Sequence, residues 1–151
     1  MTRTRPAALA VVALALSAAV AGCGESESSS FKEDYNAAVR PLSELKTDVG
    51  GSLDGGSGKS NEAIAKEFEN LARKARQTRA NLAKLDPPDN AREEFDALLS
   101  ALGDGSDDLG AVAAASREDD PAKAAEAAQE LVKSGTRIQE AETDLKKEVD
   151  G

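Results

Sequence analysis

From Phe31 onward, apolar residues return at alternating intervals of four and three. Phe31, Tyr35, Ala38, Leu42, Leu45 and Val49 form a first run, and Ile64, Phe68, Leu71, Ala75, Thr78, Leu82 and Leu85 a second. Ala91, Phe95, Leu98, Leu102, Gly105, Leu109, Val112 and Ser116 make the third. Ala124, Ala128, Leu131, Gly135, Ile138, Glu142, Leu145 and Val149 make the fourth. Each run predicts a helix with one apolar stripe. A strict seven-residue repeat keeps that stripe facing its neighbours, so the expected fold is all-α: an antiparallel, up-down four-helix bundle over residues 31–151.

The punctuation between runs fits the same plan. Asp86-Pro87-Pro88-Asp89 ends the second helix and opens the third, with Asp86 as cap and Pro87 at the tolerated first position. Asp120-Pro121 repeats the device for the fourth helix. Gly50 to Lys59 reads as a long flexible crossing. Two places weaken the pattern. Pro41 removes a helical hydrogen bond at a cost of about 3 kcal/mol, so the first helix is expected to kink or break there. Gly103 and Gly105 predict a bend or a short break in the third helix, although its phase continues across them.

Composition narrows the chemistry. Apolar content is mostly Ala, Leu and Val, with one Tyr, three Phe and no Trp, which suits close-packed helices better than sheets. All four aromatic residues fall on seam positions and are read as core. The net charge of −9 argues against nucleic acid as a partner. His is absent and Cys23 is the single Cys, so disulfides, Cys/His zinc sites and Ser-His-Asp or Cys-His catalysis lack their raw material. No cofactor, metal centre or enzymatic activity is expected.

Several short motifs approach a known chemistry and miss it. Gly58-Lys59-Ser60 ends like a phosphate-gripping loop, but Leu53 stands where the first Gly of G-x-x-x-x-G-K-[ST] belongs, and a helical repeat precedes it rather than a strand. The glycines make a loop, and Ser60 or Asn61 is expected to cap the next helix, with Glu62 in its first turn. Ser43-x-x-Lys46 matches the S-x-x-K element of penicillin-recognising serine enzymes, without S-D-N or K-T-G to accompany it. Asp104, Ser106 and Asp108 fall on the first three ligand positions of a calcium loop, yet Leu109 replaces its Gly and Ala115 its terminal Glu.

Charge sorts by helix. Ser60 to Leu85 carries six basic and three acidic residues, whereas Pro88 to Ser116 carries one basic and seven acidic. The basic strip Arg73, Lys74, Arg76 and Arg79 is a candidate binder of anionic ligands or envelope polymers. Pairing with the acidic helix that follows accounts for the same residues and is the preferred reading.

The N-terminus is the most specific signal. "MTRTRPAALAVVALALSAAVAGCG" has Arg3 and Arg5 as a basic start, an apolar run from Ala7 to Val20, and then small residues. Val20-Ala21-Gly22-Cys23 resembles the lipobox of bacterial lipoprotein signal peptides. The resemblance implies that residues 1–22 are a leader cut before Cys23, and that Cys23 carries acyl chains such as palmitate. Two or three chains anchor stably at a membrane, where one alone is marginal. Residues 24–30, "GESESSS", then read as a flexible tether of roughly 15 Å reach.

Beyond the lipobox, the Ala-rich helices and the segment "LDPPDNAREEFDALLSAL" resemble small lipoproteins of unknown function from high-GC Gram-positive bacteria. The expectation is a membrane-anchored, extracytoplasmic, non-catalytic module that contacts another envelope protein as adaptor, sensor or accessory subunit. The alternative is a bundle that holds a small apolar or anionic ligand, with Gly105, Ser116 and Gly135 thinning the seam.

Overall fold

The computed structural model describes residues 24–56 and 58–150. Four helices occupy most of this stretch: α1 (Gly24–Asp54), α2 (Asn61–Leu82), α3 (Arg92–Arg117) and α4 (Pro121–Asp150), with a 3-10 turn at Asp89–Ala91. No strand occurs among the described residues. The protein is an all-α four-helix bundle, and its cross-helix pairs run antiparallel. Lys32 at the start of α1 meets Asp150 at the end of α4. Arg76 faces Asp107 and Arg117 faces Glu69 across α2 and α3, while Lys74 reaches back to Asp48 of α1.

Helix α3 is the centre of the bundle. All eight seam positions of the third run are buried, and α3 lies closely against α2 on one side and α4 on the other. Leu82, Leu98, Leu102 and Leu145 are almost wholly removed from solvent, each worth about 1.5–3 kcal/mol of burial. Helix α1 is attached less evenly. It leans on α2 and meets α4 only sparsely. Its firm points are Leu42 and Leu45 in the core, and Phe31, whose ring meets Phe95 edge-on with centroids 5.5 Å apart.

Caps fix the helix starts. Ser60 Oγ accepts from the Ala63 amide at 3.3 Å, and the Asp120 carboxylate accepts from the Ala122 and Lys123 amides at 3.1 and 3.0 Å. Just past the end of α3, Asp119 has a φ of 54°, the left-handed conformation that closes off a helix.

Several sequence expectations are corrected. α1 is not broken at Pro41: the ring sits on the exposed face, and burial of Leu42 and Leu45 just beyond it holds the next turn in place. α1 also runs on through Gly50 and Gly51 to Asp54, because Ser52 is buried against α2 and bonds Glu67. At the other end the backbone of residues 24–30, expected as a tether, is helical; extending an existing helix needs no new nucleus. α3 is continuous across Gly103 and Gly105. It starts at Arg92 rather than Pro87, after an extended Pro88 and the 3-10 turn, and the Asp86 side chain pairs with Arg92 instead of capping. In α4, Ser134 takes the buried place expected for Gly135, which is exposed. Leu131, Ile138 and Leu145 keep the expected phase on either side, so the exchange is local: Ser134 is the residue that α4 lays against Gly105.

Candidate functional site

The glycines of α3 are sites of close approach. A Cβ on Gly105 would lie 3.1 Å from Ile138 Cδ1 and 3.9 Å from Ser134 Cβ, so α4 sits tightly on α3 at this level. A Cβ on Gly103 would lie 3.4 Å from Arg79 Nε, which donates to the Leu99 carbonyl at 2.8 Å. The residues that suggested a hinge instead let neighbours reach the helix backbone.

Because α4 is drawn to α3 and α1 leans on α2, the α1/α4 seam stays open. A cavity of about 260 Å³ lies there. Its α1 wall is Leu42, Leu45, Val49, Gly50 and Leu53, and its α4 wall is Leu131, Val132, Gly135 and Ile138. Ala75, Leu102, Gly105 and Leu109 form the floor. The remaining lining residue, Lys46, is the one charged side chain among the fourteen. Its ammonium is paired with the Glu142 carboxylate across the seam, and it keeps 43% of its side chain exposed.

The rim is apolar as well. Leu53 at 37% and Val132 at 60% are the exposed large hydrophobic residues of the described part, and both line this slot. Two scattered surface leucines or valines would need no explanation; two on one cavity mark a face. A second cavity of about 320 Å³ shares Leu53 and continues toward the α3–α4 corner past Ile64, Phe68 and Val112.

The anionic-ligand strip does not form one surface. Lys74 pairs with Asp48 of α1 at 2.8 Å, and Arg79 lies over Gly103. Arg73 and Arg76 instead join Arg117 around a depression floored by Ala72, Gly110 and Ala114, with Glu69 at its edge. Glu69 is bonded by Arg117, which holds its carboxyl below the usual range, and Arg76 has a looser pair with Asp107 at 3.7 Å. Pairing with the acidic helix thus accounts for Arg76, and other partners for Lys74 and Arg79.

The near-miss motifs are absorbed by the fold. Lys59 bonds Glu67 at 2.6 Å, Ser52 bonds the same carboxylate at 2.5 Å, and both hold it below the usual range. Lys46 of the S-x-x-K pair is engaged with Glu142. The residues that approach a calcium loop lie within α3: Asp104 faces Arg137 at 3.6 Å, Ser106 donates to the Gly103 carbonyl at 2.7 Å, and Asp108 accepts from Ser134. No group of three metal-ligating side chains is assembled among the described residues.

Val20, Ala21, Gly22 and Cys23 lie outside the described residues. Among those described, no helix is long and apolar enough to cross a membrane. No family model, curated protein or solved structure matches the chain.

Sequence reasoning missed Lys46, Leu53 and Val132 as site residues. Leu53 falls one residue past the next seam position of the first run, which is Ser52, so the 4-3 spacing does not mark it. Val132 falls off the fourth run and carried no signal at all.

Proposed function

We propose that this chain is a non-catalytic binding module, held by acyl chains on Cys23 at the extracytoplasmic face of a membrane, whose bundle takes an apolar small ligand in the α1/α4 slot. The observation that carries the ligand reading is the slot itself: an apolar cavity whose rim holds the exposed Leu53 and Val132. A dry cavity of ~150 Å³ already suffices for benzene, and small-molecule sites are typically concave and mostly apolar. The anchor rests on the lipobox resemblance at Val20 to Cys23.

A second reading keeps the module as an adaptor for an envelope protein. Val132, at 60% exposure on the outer rim, favours it, since a partner's side chain would cover that residue better than a ligand below it.

Two measurements test the proposal. Full-length chain and Cys23→Ser are compared by membrane fractionation in the native host; retention of the Ser variant in the membrane would remove the anchor. The chain from Gly24 onward contains every residue of the described core, so its melting temperature can be followed with added decanol. A rise is expected, and Gly135→Leu should abolish it. Gly135 lines the slot and nothing lies within 4 Å of its Cβ position, so the larger side chain fills the mouth without strain elsewhere. An unchanged melting temperature in decanol would sink the ligand reading, and crosslinking to one protein partner through residue 132 would replace it with the adaptor.

A further inference from the structure

Resting on that slot reading, we propose that the ligand is an anionic amphiphile: one hydrocarbon chain lying between α1 and α4, with its negatively charged head group on the Lys46 ammonium. The lining divides as such a molecule does. Thirteen of the fourteen residues are apolar or Gly, and the fourteenth is a cation at the edge. A slot meant for a wholly apolar guest needs no charge in its wall, and a slot meant for a cation would not carry a lysine.

Lys46 is placed to exchange partners. Its pair with Glu142 joins two partly exposed side chains, at 43% and 21%. Pairs of this kind contribute little net stability, so transferring the ammonium to an incoming anion costs little. A head group bound beside apolar walls is partly shielded from water, and charge-assisted hydrogen bonds gain strength there. The apolar portion supplies affinity by length, up to about fourfold per buried methylene.

The seam also allows entry. α1 is fastened to α4 by sparse contacts and by ion pairs at Lys32 and Lys46, whereas its core attachments at Phe31, Leu42 and Leu45 and the buried Ser52, bonded to Glu67, tie it to the rest of the bundle. A chain therefore enters through the sparsely bridged α1/α4 seam itself, while α1 stays held on α2. Leu53, exposed at the rim, becomes covered when a chain occupies the slot.

The test is calorimetric titration of the chain from Gly24 onward with decanoate, decyl phosphate, decanol and decyltrimethylammonium, all below micelle formation. Both anionic probes should bind at least about tenfold more tightly than decanol, and the cationic probe most weakly. Lys46→Gln should remove the anionic advantage, weakening decanoate and decyl phosphate far more than decanol, while Glu142→Gln should tighten both anions by freeing Lys46. A preference between decanoate and decyl phosphate assigns the head group to the carboxylate or the phosphate class. Equal affinities for decanol and decanoate would overturn the anionic assignment and leave the apolar slot standing. Equal weakening of decanol and decanoate by Lys46→Gln would reduce Lys46 to a structural role and overturn it too. If no probe binds, both readings fall. Self-association relieved by Val132→Ser, with no probe bound, would make the rim a contact between copies and likewise end the proposal.

Discussion

Gly105 of α3 and Ile138 of α4 are in close contact: a Cβ added at Gly105 would lie 3.1 Å from Ile138 Cδ1, which would have to give way slightly. Both residues also line the slot, so tight α3/α4 packing and the open α1/α4 seam are two consequences of one placement.

Gly105→Ala should therefore stabilise the fold while shrinking the slot. Alanine gains up to ~1 kcal/mol over glycine inside a helix. The contact it makes, 3.1 Å, is with the mobile end of Ile138, which has the slot beside it to move into. A net gain of about 0.5 kcal/mol in urea unfolding is expected, together with weaker decanol binding. A loss of stability would show that Ile138 has nowhere to go. Gly105→Val, which adds two more carbons at the same spot, should cost about 1–3 kcal/mol.

Leucines should divide by position. Leu98 is fully buried on the central helix, and Leu98→Ala is expected to cost about 2–5 kcal/mol. Leu53→Ala, at an exposed rim, should cost less than about 1 kcal/mol and yet weaken decanol binding. Urea denaturation of both variants, read by far-UV circular dichroism, checks the contrast; similar losses at the two sites would mean that the end of α1 is packed as tightly as the core.

The seam of α3 was legible because each of its positions is decided locally, by period alone: Ala91 through Ser116 are all buried as the 4-3 spacing requires. Where a second helix sets the outcome, period alone is insufficient. Ser134 replaced Gly135 because of how α4 sits on Gly105, and Gly103 is covered by an arginine from α2. In the sequence the third run's two glycines predict a bend or short break, and only the neighbouring side chains reveal them as sites of close approach. The slot was less legible still. Its residues come from all four helices, and its existence depends on the uneven spacing of α1 between α2 and α4, which no single run encodes.

Glu67 joins the end of α1, the crossing loop and α2. Lys59 and then Ser52 hold its carboxyl below the usual range through hydrogen bonds to the ionised form. A depressed folded value means that this contribution is present above the unfolded pKa, about 4.3, and is lost as pH falls through the folded one. Acid should therefore loosen the α1 end before it unfolds the core. Carboxyl titration followed by NMR is expected to place Glu67 below the free glutamate value, and Lys59→Met should move it upward. An unchanged Glu67 titration in that variant would mean that the loop lysine does not hold it.

Tyr35 provides the alkaline counterpart, and it is the single tyrosine of a chain without tryptophan, so its phenolate absorbance has no competitor. Burial pushes the Tyr35 phenol up, and the nearby Glu142 carboxylate adds to the shift by repelling the phenolate. A raised folded value means that the unfolded chain releases this proton first. The associated stability is full below about pH 10 and declines as pH rises from there toward the folded value. Spectroscopic titration of the native chain should show no phenolate at about pH 10, where a free tyrosine is half ionised. Glu142→Gln removes the smaller cause only, so the titration should move part of the way down and remain above the free value. Full reversion in that variant would show that charge, rather than burial against Phe31 and the α1/α4 seam, holds the proton on Tyr35.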